Sequence, residues 1–200
     1  MAKYTVTKIV DDLDGTESAD TATVAFALDG QPFVIPMLYA RDGDHLLLHG
    51  GVSSRLLKAL ASGIECCVAV THLDGLVLAR SQFHHSVNYR SVVAFGRAQL
   101  IDDPAEKAAA LVRLVEAIVP GRSVDARTAD RQELAATVVL GLPIADLSLK
   151  SRSGGPSDAP EDLGLPVWSG VVPLALTASR PVAAADLDPA IPLPGYLARD

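Results

Sequence analysis

The sequence has very few cysteines and no excess of positive charge. Its 200 residues include two cysteines, Cys66 and Cys67, and they are adjacent. Adjacent cysteines suit neither a structural disulfide nor a chelating zinc site, so we interpret both as small, reduced hydrophobic residues. The formal net charge is −7. An acidic chain has no general attraction for nucleic acid or for an anionic membrane surface, so neither is an expected partner.

Long apolar runs and the common catalytic motifs are also missing. No window is long and apolar enough to cross a bilayer, and the N-terminal residues lack the apolar core of a signal peptide, so a cytoplasmic location is expected. The sequence contains no GxGxxG, GxxxxGK[ST], GxSxG or HExxH motif. These absences leave the catalytic residues unknown, and no metal site is predicted.

The residues that are present predict one mainly β domain. Apolar residues make up 49% of the chain, which is enough for a single buried core. β-type runs at 22–28, 32–40 and 45–50 are joined by turn signals, which favours an antiparallel meander. Two further runs flank Asp74-Gly75 and predict a hairpin, and a long strand is expected over about 86–101.

Helices are predicted at three places. SSRLLKALASG begins with serines that can cap a helix and ends at Gly63; a second helix begins at Pro104, and a shorter one is expected over 130–139. Strands at 144–152 and 167–178 complete the pattern. Since βαβ alternation is nearly absent, we predict an antiparallel barrel with peripheral helices.

The chain divides into three parts on this interpretation. Residues 1–20 form an N-terminal lead-in, residues 21–180 form the barrel domain, and residues 181–200 form an extended, Pro-rich C-terminal tail.

The segment 83–103, FHHSVNYRSVVAFGRAQLIDD, carries polar and cationic side chains along an apparent strand. Strand alternation places Asn88 and Arg90 on one face and Tyr89 and Ser91 on the other. Arg90 can pair with a phosphate, while Ser91 or Tyr89 can meet a ring or a sugar hydroxyl. The alternative interpretation is an exposed edge strand with snorkelling side chains.

A second polar cluster comprises Ser53, Ser54, Arg55 and Lys58, at the start of the first predicted helix. Free N–H groups and the partial positive charge at a helix N-terminus attract anions, and hydroxyls and a guanidinium strengthen that tendency. The alternative is an ordinary capped amphipathic helix whose cations are solvated.

The histidines allow few metal-binding arrangements. His84 and His85 are neighbours, which on a strand cannot easily share one ion, and no acidic residue stands at chelating spacing beside them. His49 closes the 45–50 strand and can reach a ligand at the rim of the barrel. Haem ligation by a single histidine stays open.

Three stretches carry a resemblance to a known family: LYARDGDHLLLHGGVSSRLLKAL, DGLVLARSQFHHSVNYRSVVAFGRA and PVWSGVVPLAL. Together, over about residues 20 to 180, they resemble the pyridoxamine 5′-phosphate oxidase-like flavoproteins, and more narrowly the branch related to nitroimidazole-resistance proteins. The resemblance implies an FMN-binding split β-barrel of antiparallel, Greek-key type. It also implies a homodimer with FMN at the subunit interface.

The same resemblance implies flavin contacts at the start of the first helix. The family's strand-end position beside the flavin ribityl or ring falls on His49. The phosphate-binding Ser–Arg pair falls on Ser54 and Arg55, with Lys58 as a supplement.

Further contacts are implied on the long strand and near the C-terminus. The family's polar pair beside the flavin falls on Arg90 and Ser91, with Tyr89 adjacent. Trp168 resembles the aromatic residue that completes the site. Where the true oxidases carry a basic residue beyond that tryptophan, this chain has Thr177, so oxidation of pyridoxamine phosphate is not expected.

The expected function is therefore that of an FMN-dependent oxidoreductase acting on a small organic substrate such as a nitro compound or a quinone. Two alternatives remain. One is a flavin-binding module without turnover that acts in storage or sensing. The other is a split barrel that binds haem or a deazaflavin instead of FMN.

Overall fold

The computed structural model of the chain describes residues 21–198, so the predicted lead-in at 1–20 lies outside the described residues. The strands are β1 (Thr21–Leu28), β2 (Gln31–Asp42), β3 (His45–Gly51), β4 (Cys66–Leu78), β5 (Ser86–Gly96), β6 (Gln99–Leu100), β7 (Thr137–Pro143), β8 (Asp146–Arg152) and β9 (Gly170–Pro173). The helices are α1 (Arg55–Ala61), α2 (Pro104–Ile118), α3 (Arg122–Asp125) and α4 (Arg131–Ala136), with short 3₁₀ turns at Gln82–His84, Pro160–Asp162 and Gly195–Leu197. In this part of the chain, no helix is long and apolar enough to cross a membrane.

The strands form one curled antiparallel sheet in the order β6-β7-β3-β2-β1-β4-β5-β8, with β9 beside β4. β2 joins the two halves of the sheet. It pairs with β1 over residues 31–38 and with β3 over residues 39–42. This mainly β split barrel with few helices confirms the predicted fold class.

Alternation along the strands gives the sheet an inner, apolar face. Val68 and Val70 of β4 and Val92 and Ala94 of β5 point inward and are buried. Helix α1 adds Leu56, Leu57 and Leu60 to the same core, together with fully buried leucines from β3 and β7. The short helix therefore belongs to the barrel core, because its apolar side is needed to fill it.

Helix α2 covers the other face of the half-sheet formed by β2, β3 and β7. Asp103 caps the helix by accepting hydrogen bonds from the N–H groups of Ala105 and Glu106, and Pro104 occupies the first turn. Ala110 and Leu114 then pack against a small second core of Ala40, Leu47 and Val139.

The predicted hairpin at Asp74-Gly75 is wrong. Residues 66–78 form a single strand that pairs with β5 on both sides of a bulge between Leu73 and Gly75. Asp-Gly is a turn signal, but a glycine within a strand also marks a bulge or a close backbone approach. At position 75 a β-carbon would lie 3.1 Å from the Val171 side chain and from the Val172 carbonyl oxygen. Close packing of β9 therefore explains the glycine.

Other boundaries also differ from expectation. The long strand ends at Gly96, where φ is +149°, and a short β6 follows. The helix expected over 130–139 ends at Ala136, because residues 137–143 form β7 between β3 and β6. Only residues 170–173 of the predicted 167–178 strand pair with a neighbour.

The core assignment can be tested at Leu140 of β7, which is fully buried. Leu140→Ala is expected to lower the free energy of unfolding by about 3 kcal/mol, because it removes apolar burial and leaves a cavity. Leu176→Ala is the matched control, since Leu176 is 74% exposed. Denaturant unfolding measures both, and equal losses in the two variants would contradict the assignment.

Candidate functional site

Arg90 and Ser91 of β5 lie on opposite faces of the sheet, as alternation predicts. Arg90 lies opposite His72 and pairs with the Asp74 carboxylate, with Nε 3.1 Å from Oδ2 and one terminal nitrogen 3.0 Å from Oδ1. Asp74 lies at the β-bulge between Leu73 and Gly75. Arg90 thus has a carboxylate partner within the chain.

Ser91 belongs to a polar patch on the outer face of β4, β5 and β8. Its hydroxyl lies 2.9 Å from that of Thr71, directly across the strand pair. On the other side Ser91 is paired in register with Lys150, which is exposed. Tyr89 shares this face and is paired in register with Leu73. We call Thr71, Tyr89, Ser91 and Lys150 the outer-face patch.

The outer-face patch combines hydroxyl groups, a phenol and an ammonium group. Opposed residues on antiparallel strands have β-carbons about 4.5–5.5 Å apart, so these groups can contact one ligand together. Sequence reasoning missed Thr71 and Lys150. Only the strand register brings them beside Ser91, and register cannot be derived from composition or spacing.

The cluster at α1 has a different setting. Ser54 is the N-cap, and its hydroxyl oxygen accepts a hydrogen bond from the Leu57 N–H at 3.3 Å. The Arg55 guanidinium lies 4.5 Å from the centroid of the Phe33 ring, a cation–π contact. Ser53 and Lys58 are exposed. The cluster therefore offers two cations and a free hydroxyl to the surface.

The two predicted clusters do not meet within one chain. Arg55 lies over Phe33, which is linked through Phe26 to Cys66 on β4, whereas Arg90 lies opposite His72. Six residues of strand separate these β4 positions, which is about 20 Å. The two clusters therefore lie at different positions along the sheet.

His49, the other predicted contact, lies near the end of β3 on the face covered by α2. It follows Leu47 by two residues, and Leu47 packs in the second core beneath that helix. Its Nδ1 is buried and has no hydrogen-bond partner within residues 21–198. A buried polar atom without a partner costs roughly 1–3 kcal/mol. Burial also lowers the pKa of His49, so the neutral imidazole is favoured.

His49 lines an open groove of about 810 Å³. One wall is the apolar side of α2, which includes Ala108, Leu111, Val112 and Val115. The opposite wall is formed by residues 122–133. The volume is in the range of cofactor pockets. No sequence motif marks this groove, because its walls come from segments far apart in the chain.

The polar wall of the groove is held by internal ion pairs and hydrogen bonds. Arg127 makes a two-point contact with the Glu133 carboxylate, at 2.6 and 2.7 Å, which holds the pKa of Glu133 at about 2. The Tyr196 hydroxyl donates to Asp125 at 2.6 Å and accepts from Arg122 at 3.1 Å. The C-terminal tail therefore stabilises the rim of the groove.

His84 and His85 lie at the turn between β4 and β5. Ser81 holds both rings, through its hydroxyl at 2.8 Å from His84 Nδ1 and its carbonyl at 2.9 Å from His85 Nδ1. Phe83 beside them is 89% exposed. Within the described residues, no three His, Cys, Asp or Glu side chains are grouped so that they could hold a metal ion.

Trp168 precedes β9 in a segment that Asp158 anchors to the sheet. The Asp158 side chain is 3% exposed and accepts hydrogen bonds from the Arg80 N–H at 2.7 Å, the Arg80 guanidinium at 2.6 Å and the Ser169 hydroxyl at 3.0 Å. These bonds, the Arg80 N–H foremost, lower the pKa of Asp158. Trp168 itself is 65% exposed and is available for a ligand or a second protein.

Comparisons with known proteins give a consistent picture. A family model described as pyridoxamine 5′-phosphate oxidase matches residues 16–151, more than half of the chain. A structure of the FAD and heme binding protein from Mycobacterium smegmatis is 41% identical, with a TM-score of 0.91, over 97% of this chain and 94% of that one. The flavocytochrome Anf3 from Azotobacter vinelandii is 37% identical, with a TM-score of 0.88, over 98% of this chain and 89% of that one.

A more distant structure shares the fold. It is described as a proposed 5-nitroimidazole antibiotic resistance protein from Bacteroides thetaiotaomicron, and it is 21% identical with a TM-score of 0.59, over 72% of this chain and 82% of that one. No curated protein is significantly similar to the chain in sequence.

The stabilising effect of the Asp158 carboxylate is expected to depend on pH. A carboxyl whose pKa is lowered on folding stabilises the protein above its unfolded pKa, and this contribution is lost as the pH falls through the folded pKa. Asp158→Asn should therefore unfold at a lower temperature than the unchanged protein at pH 7, and the difference should shrink below about pH 4. Asp146→Asn, at an exposed carboxylate of β8, is the control. A pH-independent gap in thermal unfolding would contradict this role.

Proposed function

The chain belongs to the pyridoxamine 5′-phosphate oxidase family, and from that premise we propose that it is a flavin-binding redox protein. The observation that carries the proposal is the near full-length similarity to two proteins described as an FAD and heme binding protein and as a flavocytochrome. The split barrel and its accessible polar patch on the outer face support it.

A bound flavin supplies the electron-transfer chemistry, and the residues of the chain bind and orient it. The outer-face patch offers hydroxyl groups from Thr71 and Ser91 and a cation from Lys150. The α1 cluster offers Arg55, whose guanidinium is already oriented by the Phe33 ring. A guanidinium can bind a phosphate with two hydrogen bonds, which makes Arg55 the preferred phosphate ligand.

The separation of the two clusters supports a homodimer. Since they lie about 20 Å apart along the sheet, a dimer in which each copy contributes one cluster would bring both onto one flavin. A symmetric dimer repeats such a composite site twice. The exposed Trp168 can also contact the second copy or the flavin bound between the two copies.

The type of flavin is part of the proposal. The family resemblance predicts FMN, whereas the Mycobacterium smegmatis protein is described as binding FAD. FAD is the longer molecule, and it can extend farther across the polar groups described above. We therefore propose FAD as the leading candidate and FMN as the alternative.

A second function, haem binding, is favoured by the same two similar structures. Both descriptions name a haem or a cytochrome in addition to the flavin. A neutral, half-buried imidazole in a large groove is chemically suited to haem iron. The combined proposal is a protein that exchanges electrons between a flavin, a haem and a small organic molecule, such as a quinone or a nitro compound.

The cofactors can be identified from the purified protein. Its absorption spectrum should contain flavin bands and a Soret band, and chromatography of the released flavin should distinguish FAD from FMN. A spectrum without flavin bands after reconstitution with FAD and with FMN would refute the flavin proposal. A single deazaflavin absorption band would show instead that the cofactor is a deazaflavin.

Redox activity is tested without knowledge of the natural electron donor. The protein is reduced chemically without oxygen, and a quinone or a nitroaromatic compound is then added. Reoxidation should be faster than for the same concentration of free flavin. Equal rates would favour a flavin-binding module that acts in storage or sensing.

Arg55→Ala is expected to weaken flavin binding by roughly 1.5–3 kcal/mol, because a charge-assisted hydrogen bond to phosphate is lost. Fluorescence titration of the flavin-free protein measures the dissociation constant. Arg97→Ala is the matched control, since Arg97 is an exposed arginine already paired with Glu65. Unchanged affinity in the Arg55 variant would remove Arg55 from the phosphate site.

A further inference from the structure

We infer that a second copy of the chain packs on one apolar area of the outer sheet face, and that the segment after β9 is exchanged between the two copies. This inference rests on the homodimer of the proposed function. It adds the surface that forms the dimer and the segment that each copy places on the other.

The apolar area is a row of side chains across three neighbouring strands. Val172 of β9, Leu76 of β4 and Val87 of β5 are paired in register, and each is between 37% and 39% exposed. Directly opposed residues of antiparallel strands point to the same face of the sheet. Leu73 lies on that face as well, opposite Tyr89 of the outer-face patch. We call Leu73, Leu76, Val87 and Val172 the apolar row, and it is continuous with the outer-face patch.

Trp168 extends the apolar row. A β-carbon at Gly170 would lie 2.9 Å from two atoms of the indole ring, so the ring covers the face of β9 to which that β-carbon would point. Alternation along the strand places Val172 on the same face. Because the indole is largely exposed, it adds a broad apolar group next to the row.

The segment that follows β9 is apolar and is attached to its own chain near both ends. The Leu174 N–H donates to the Asp74 carbonyl at 3.1 Å, and Tyr196 contacts Arg122 and Asp125 beyond the other end. Between these attachments, every residue from 174 to 193 is exposed. We call residues 174–193 the C-terminal arm. The family model ends at residue 151, so the arm lies outside the region that it matches.

The exposed apolar surface is too large for a typical monomer. More than half of the exposed large apolar side chains of the described residues lie between residues 163 and 193. Together they present on the order of 1,000 Å², whereas the largest apolar patch of a typical soluble monomer is about 300–600 Å² and a standard interface buries about 800 Å² per partner. The area therefore suits a stable protein–protein contact.

A second copy is the partner that fits the placement of the arm. The arm begins directly after β9, whose Val172 belongs to the apolar row. A two-fold axis beside the row therefore places each arm over the row of the other copy, so that one surface serves both partners. The same contact brings the second copy to the edge of the outer-face patch, as the proposed flavin site requires.

The charge of the chain and of the arm agrees with this choice. Arg180, Asp186 and Asp188 are the charged residues of the arm, so most of its length can pack on an apolar surface. The net charge of −7 gives the chain no attraction for an anionic membrane, which is the other large surface that could receive an apolar arm.

The test measures the dimer dissociation constant of the full-length, flavin-loaded protein by sedimentation velocity over a range of concentrations. The unchanged protein should be a dimer. Val182→Glu in the arm and Val87→Lys in the row should each raise the dissociation constant about tenfold or more, because a charge then enters an apolar contact. Val124→Glu is the matched control, since Val124 is an exposed valine on α3 outside the arm and the row.

A mixture of the two variants separates exchange of the arm from any other effect of the substitutions. A heterodimer of Val182→Glu with Val87→Lys has one unchanged arm–row contact and one in which opposite charges meet. The mixture should therefore dimerise more tightly than either variant alone. All the substituted side chains are exposed, so each variant should keep its fold, which circular dichroism verifies.

Four results distinguish this inference from the proposed function. If the unchanged protein binds flavin as a monomer at all concentrations, the homodimer and this inference fail together. If the dimer persists equally in both variants, or if the mixture gains no affinity, the homodimer stands but the arm is not exchanged onto the row. If a monomeric protein binds phosphatidylcholine vesicles and Val182→Glu does not, the arm is a lipid contact instead. If no flavin binds and the dimer still responds as expected, this inference holds while the flavin proposal fails.

Discussion

The antiparallel pairing of β4 with β5 is the interaction on which the rest of the structure depends. β4 pairs with β5 along most of its length, with β1 over residues 66–69 and with β9 over residues 75–78. A shift of this register by one residue would move every side chain of the strand to the opposite face. The apolar core, the outer-face patch and the attachment of β9 are therefore fixed by one set of backbone hydrogen bonds.

This constraint also separates the outer-face patch from the groove beneath α2. The outer-face patch lies on the half of the sheet that contains β4 and β5, whereas the groove lies where α2 covers β2 and β3. The bend of β2 between the two halves keeps both surfaces in one domain. The outer-face patch and the groove therefore share no side chains.

Much of the architecture could be predicted from local signals in the sequence. Turn residues mark the β1–β2 and β2–β3 connections, and Asp103 and Pro104 mark the start of α2. The run at 137–143 could not be assigned, because a short buried strand and a helical turn share the same apolar pattern. The site residues were partly recognisable by type, but their division into separate clusters depends on strand register. Thr71, Lys150 and the groove around His49 follow from contacts between distant segments, which no local pattern encodes.

The C-terminal segment after β8 is attached to the barrel at few points. Asp158 binds Arg80, β9 adds four residues beside β4, and Tyr196 packs against Gly121. Most other residues of this segment are exposed. A segment with so few buried contacts opens with less free energy than the whole domain, so its amide hydrogens should exchange with solvent before those of β4 and β5. Because Tyr196 contacts Asp125 and Arg122, opening of this segment also loosens the rim of the groove while the barrel stays folded.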